Sequence, residues 1–123
     1  ETETGLAGFR DLIVSGAVDI VQPDVIWTGG ITPCRKIAAL AEAFHLPVVP
    51  HVFSSALSTI ANMHFIASLP NGGLLEFDQN PNPLRSELFE QPIVVDASGQ
   101  VAMPQGPGLG VRLSQETIDR YRV

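Results

Sequence analysis

Two spacings of apolar residues alternate along the chain. Gly5 to Ser15 carries Leu6, Phe9, Leu12 and Ile13 on one face of a short helix, and Gly16 follows where a helix stop is expected. Val18 to Gln22 is short, rich in β-branched residues and followed by Pro23, which predicts a buried strand. After the loop Asp24 to Ile31, Thr32 reads as an N-cap, with Pro33 at the first helical position, where its missing N–H costs nothing. Ile37, Leu40, Ala41 and Phe44 then keep helical spacing and form one apolar face, and Pro47 closes the unit. Val48 and Val49 belong to the next buried strand. Ser54 or Ser55 caps a third helix, whose Leu57, Ile60, Ala61 and Phe65 again recur at helical spacing. Pro70, Asn71, Gly72 and Gly73 break it before Leu74 and Leu75 start a third strand.

Each of the three strands ends on or beside an ionisable residue: Asp24 after VDIVQP, His51 after LPVVP, and Glu76 after GLL. They stand about one strand, loop and helix apart. A β/α barrel of about 250 residues allots roughly 30 residues to each of eight such units and carries its chemistry at the C-terminal strand ends. The fold class expected is therefore α/β, the C-terminal part of a modified (β/α) barrel of the TIM type. Three strands leave most of a barrel's sheet edge unpaired, and a long exposed edge invites aggregation. On that ground the chain is expected to be a fragment, with the other barrel strands upstream.

The character of the sequence changes after Asp78. Residues 1–79 hold the strands and helices of the barrel, and 80–123 read as an excursion from it, with Pro81, Pro83, Pro92, Pro104 and Pro107. Within that excursion Ile93 to Val95 and Val101 to Met103 flank the turn Asp96 to Gly99, a hairpin pattern. Ser114 caps a final short helix reaching Tyr121, with Ile118 facing inward.

Composition narrows the function classes. An apolar content of 45% is ample for a core, and no apolar run approaches the roughly 18 residues of a membrane span. A net charge of −6 with no Lys/Arg cluster argues against nucleic acid as a partner. Cys34 is the only cysteine, so no internal disulfide can form, and a reducing, cytoplasmic setting is the expectation.

Taken singly, the candidate site residues have ordinary readings. Asp24 after Pro23 would start a turn, Glu76 would be a solvated strand end with Asp78 as its rival, and His51 would be a polar loop residue. Their order and common spacing favour a shared site. A neutral imidazole is a general base near neutral pH, and a neighbouring carboxylate fixes its tautomer and raises its basicity. Adjacent strands lie about 4.8 Å apart, so Asp24 and His51 at neighbouring strand ends can meet. His64 reads as a packed helix residue and His45 as a helix C-terminal one. Cys34, in a first helical turn, is a candidate for a lowered pKa. Gly29 and Gly30 form a strand-to-helix loop without a phosphate-binding pattern. Trp27 and Phe53 are either pocket walls or core.

The run DIVQPDVIWTGGIT, followed by PVVPH, LLEFD, NPLR and PGLGV, resembles the C-terminal barrel of the enolase superfamily, specifically its mandelate racemase group, across essentially the whole chain. That resemblance implies an N-terminal capping domain over the barrel and a divalent metal, usually Mg, held by three carboxylates at successive strand ends. Glu1 matches the third of these ligands, with Glu3 as the competing assignment, and the other two would lie upstream. It further implies that His51 is the base, Asp24 its partner, and Glu76 the carboxyl group that hydrogen-bonds the substrate's carboxylate, a role that works best when protonated. The reaction implied is abstraction of the proton next to the carboxylate of a small hydroxy acid, most simply the dehydration of an acid sugar. A racemase, epimerase or cycloisomerase is the alternative, and a non-catalytic barrel piece is a second. No membrane partner is implied, and the full-length protein is expected to be a homo-oligomer.

Overall fold

The computed structural model describes residues 2–123. Helix α1 (Gly5–Val14) packs on α2 (Ile31–Ala43), and α2 packs on α3 (Ala56–Ala67). Between these helices three extended segments pair in parallel and in chain order. Val21 bridges Val48, and Val48 bridges Gly72. The Val21 N–H donates to the Pro47 carbonyl (3.0 Å) and the Val49 N–H to that of Val21 (3.1 Å). The Val48 N–H donates to Asn71 (2.9 Å) and the Gly73 N–H to Val48 (2.8 Å). This is the β/α alternation expected, with each pairing reduced to one bridge in place of a ladder.

The third segment pairs two residues earlier than its apolar run suggested. Leu74 is 80% exposed, and Gly72 and Gly73, read as breakers, carry the contact. A Cβ on Gly72 would stand 2.7 Å from the Ile66 carbonyl oxygen, and one on Gly73 would stand 2.9 Å from Val49 Cγ2. Only residues without a side chain let the chain pass there.

Helix α2 also begins earlier than expected. Gly30, at φ 111, holds the N-cap position in place of Thr32, because the two left-handed glycines Gly29 and Gly30 end the loop sooner. Thr32 and Pro33 then lie inside the first turn, where N–H groups have no intrahelical acceptor and proline is still tolerated. Past the other end, His45 takes φ 57 and the Leu46 N–H reaches back to the Ala41 carbonyl (2.9 Å). That sharp exit turns Phe44 outward, off the face assigned to it.

The core has two parts, with α3 between them. Phe9, Ile13, Ile37, Val48 and Phe65 anchor the first, beneath α1 and α2. Ala56, Ile60, Met63, Leu88 and Phe89 form the second, against the C-terminal stretch. Each fully buried large side chain contributes about 1.5–3 kcal/mol. Because α3 faces both clusters it is buried on most sides, including the polar Ser58 and Asn62, while Leu57, expected on its apolar face, is exposed. Ser55 holds the N-cap position of α3 without a side-chain hydrogen bond.

A four-residue helix, α4 (Pro83–Ser86), carries too few residues for periodicity to reveal it. Asn82 caps it, its Oδ1 accepting the Leu84 N–H (3.0 Å). Phe89 then bridges Leu113 and Val95 bridges Val101, both antiparallel, the latter about a turn in which the Asp96 N–H donates to Gln100 O (2.8 Å). Helix α5 (Gln115–Tyr121) is capped by Ser114, as expected. The residue it buries is Thr117, whose hydroxyl donates to the Glu87 carbonyl (2.7 Å), while Ile118 is only half-buried. No helix among the described residues is long and apolar enough to cross a membrane.

Candidate active site

Asp24 lies just past the first pairing segment, 0% exposed, in a turn that its own groups organise. The Ile26 N–H donates to its Oδ1 (2.8 Å) and the Thr28 N–H to its carbonyl (2.8 Å). From α3, the buried Asn62 side chain steadies the same turn. Its Oδ1 accepts the Val25 N–H (3.4 Å), while its Nδ2 donates to the Ser58 carbonyl (3.0 Å). Sequence reading passed over Asn62; its signal is an amide set between the core residues Ile60 and Met63.

His51 ends the second segment, and its Nδ1 lies 3.0 Å from Asp24 Oδ2. A carboxylate can only accept, so this contact assigns a proton to Nδ1. The His51 side chain is 18% exposed, against 0% for Asp24, so the imidazole reaches the surface while the carboxylate is sealed beneath. The ring of Phe53 stacks near that of His51, with centroids 6.4 Å apart and planes at 21°. Phe53 and Trp27 are 55% and 59% exposed, so neither belongs to the core.

Glu76 reaches the same place by another route, its Oε2 accepting the Val52 N–H at 2.6 Å. The carboxyl group after the third segment is thereby fastened to the backbone immediately beyond His51. Asp78, its rival, is committed elsewhere. Its Oδ1 accepts from both the backbone N–H (2.8 Å) and the side-chain Nδ2 (2.7 Å) of Asn80, and the backbone bond foremost holds this carboxyl below the usual range.

Two other readings resolve here. Burial pushes the Cys34 thiol up to about 11, with the nearby Asp24 adding to the rise and Thr28 opposing it. The expectation of a lowered pKa is thus overturned, because desolvation at a fully buried site outweighs the helix terminus. His64 is a packed residue, its Nε2 within 3.0 Å of the Leu109 carbonyl, and it ties α3 to the PGLGV stretch.

The metal assignment fares differently. Glu1 lies outside the described residues, and Glu3 Oε1 accepts the Thr4 N–H (2.9 Å). Among the described residues no three His, Cys, Asp or Glu side chains converge as a metal centre, and both Asp24 oxygens are engaged. The described residues therefore do not by themselves make the expected Mg site, of which two carboxylates were expected upstream and the third, Glu1, lies outside the described residues.

Comparison with known proteins identifies the family and the fold. Residues 1–117 match the family described as enolase C-terminal domain-like. D-galactarolactone cycloisomerase of Agrobacterium fabrum is 33% identical over 131 residues, covering 100% of the chain and 34% of the relative. Arabinonate dehydratase of Saccharolobus solfataricus is 36% identical over 114 residues, covering 93% of the chain and 30% of the relative. Among solved structures, the 3,6-anhydro-D-galactonate cycloisomerase of Zobellia galactanivorans superposes with a TM-score of 0.86 at 34% identity, over 97% of the chain and 33% of that protein. The chain thus spans about a third of the length of the relatives it matches. By sequence and by fold, it belongs to the enolase superfamily, within its mandelate racemase group.

Proposed function

We propose that the chain supplies the His/Asp side of an active site that removes the proton α to the carboxylate of an acid sugar and eliminates water. The observation that carries this reading is the His51 Nδ1 to Asp24 Oδ2 contact of 3.0 Å, made with a carboxylate that is wholly buried. Dehydratases of arabinonate, xylonate and rhamnonate among the relatives support the substrate class.

His51 Nε2 takes the α-proton, and Asp24 stabilises the imidazolium that forms. The electron pair released passes into the carboxylate as an enediolate. Its collapse forms a double bond between the α and β carbons as the β C–O bond breaks. His51 returns its proton to the departing hydroxide, which leaves as water, and the resulting enol tautomerises to a 2-keto-3-deoxy acid. Glu76, held by the Val52 N–H, turns its second oxygen to the substrate's carboxylate, one proton being shared between the two groups. Phe53, its ring stacked near that of His51, would stand beside the reacting carbon.

A cycloisomerase is the second reading, favoured by the match to D-galactarolactone cycloisomerase along the entire chain. The same abstraction would begin it, with a lactone oxygen as the leaving group.

The test is turnover by the complete polypeptide that carries this chain, on arabinonate, xylonate, rhamnonate and galactarolactone, with products identified by NMR and mass. The dehydratase reading expects loss of one water, and a fall in kcat of roughly 10²–10⁴-fold in His51→Asn. A product of unchanged mass would transfer the assignment to cycloisomerisation. Turnover that survives His51→Asn would refute both.

A further inference from the structure

Three residues beyond His51, Ser54 adopts φ 143, a backbone region that residues with a side chain rarely enter. Such a conformation persists only where its surroundings impose it. Two contacts grip this short loop, both from the segment that follows the third pairing strand. At one end Glu76 Oε2 accepts the Val52 N–H (2.6 Å). At the other, Asn82 Nδ2 donates to the Ser54 carbonyl (3.0 Å). Asn82 is itself locked in place. Its Oδ1 caps α4 through the Leu84 N–H (3.0 Å), and its carbonyl accepts from Arg85 (2.9 Å) and Ser86 (3.1 Å). One side chain therefore joins a rigid helical turn to a strained peptide beside His51.

We propose that Asn82 is a positioning residue: acting through the Ser54 carbonyl, it holds the loop carrying His51 and Phe53 in a strained conformation that aims the imidazole and its aromatic neighbour at the substrate. This rests on the function proposed above. Asn82 contributes no group to the reacting atoms.

Asn82→Asp separates this role from the helix cap. Aspartate still accepts the Leu84 N–H and is as good an N-cap, but it has no N–H for the Ser54 carbonyl. In the complete polypeptide kcat should fall between about tenfold and a hundredfold, with KM changing much less, as expected when a catalytic group is misaimed. Ser54→Gly makes the required φ accessible without strain, so the same Asn82→Asp change should cost several-fold less in that background. Without substrate, amide hydrogen exchange in the peptide spanning residues 51–55 should quicken at least about tenfold in Asn82→Asp. A parental kcat, an equal loss in both backgrounds, or unchanged exchange would each overturn the inference. The exchange measurement needs no activity. If no acid is turned over and exchange still responds, the proposed reaction falls and the positioning role stands.

Discussion

At the residue scale, the Asp24–His51 pair joins a carboxylate with no solvent contact to an imidazole with some. Asp24 is fixed by the Ile26 N–H on one oxygen and faces His51 with the other, so it can neither rotate nor dissipate its charge into water. Asp24→Asn keeps the shape but presents His51 with a neutral amide, and the tautomer with a basic Nε2 loses its support. The expected result is a kcat lowered by roughly 10²–10⁴-fold with an unaltered circular dichroism spectrum, measured on the complete polypeptide. Cys34 yields a prediction of another kind. Its pKa is raised from 9.0 to about 11 in the folded chain, so above pH 9 the unfolded state releases a proton that the folded state retains. Stability is therefore unaffected by this group below 9 and falls as pH rises to about 11, by about 2–3 kcal/mol in all. Urea unfolding across that range should show the loss in the parent and not in Cys34→Ala. Equal slopes in the two would contradict it.

At the scale of elements, the decisive geometry lies where strands give way to loops. Gly72 lets the third segment pass against the Ile66 carbonyl, and this register brings Glu76 to the Val52 N–H. Gly72→Ala places a methyl 2.7 Å from that backbone oxygen. It should destabilise by about 1–3 kcal/mol, seen as a lower melting temperature. Helices α1 and α2 were legible in the sequence because burial of one face imposes a period, α3 because its apolar residues recur although most of its sides are buried, and α5 through its Ser114 cap. The order Asp24, His51, Glu76 was legible because strand ends in a barrel recur at a fixed interval. What escaped had no period to display. The pairing at Gly72 was hidden because glycine signals a break as readily as a close approach, and α4 was too short to repeat. Asn62 and Asn82 act on Val25 and Ser54 across 37 and 28 residues, a reach that no local pattern records.

At the scale of the whole molecule, the chain is a third of the length of its relatives, and its surface bears large apolar groups, among them Val14, Ile20, Ile26 and Leu74. Ile20 and Leu74 flank the paired segments at opposite ends of the strand order, where further strands of a barrel would continue the sheet. These 123 residues expressed alone should show no metal-dependent turnover of any acid sugar, since they span only about a third of the length of the relatives they match. Turnover by the isolated chain would contradict that. Removal of the α-proton by His51, with Asp24 in support, can be read from proton exchange in heavy water. With the complete polypeptide and an acid sugar that it turns over, NMR of the unreacted acid recovered part-way through turnover should show deuterium entering at its α-carbon in the parent, the α-carbon of the 2-keto product carrying no hydrogen. This exchange should be absent in His51→Asn and slowed by roughly 10²–10⁴-fold in Asp24→Asn. Deuterium entering at the parental rate in His51→Asn would contradict this role for His51.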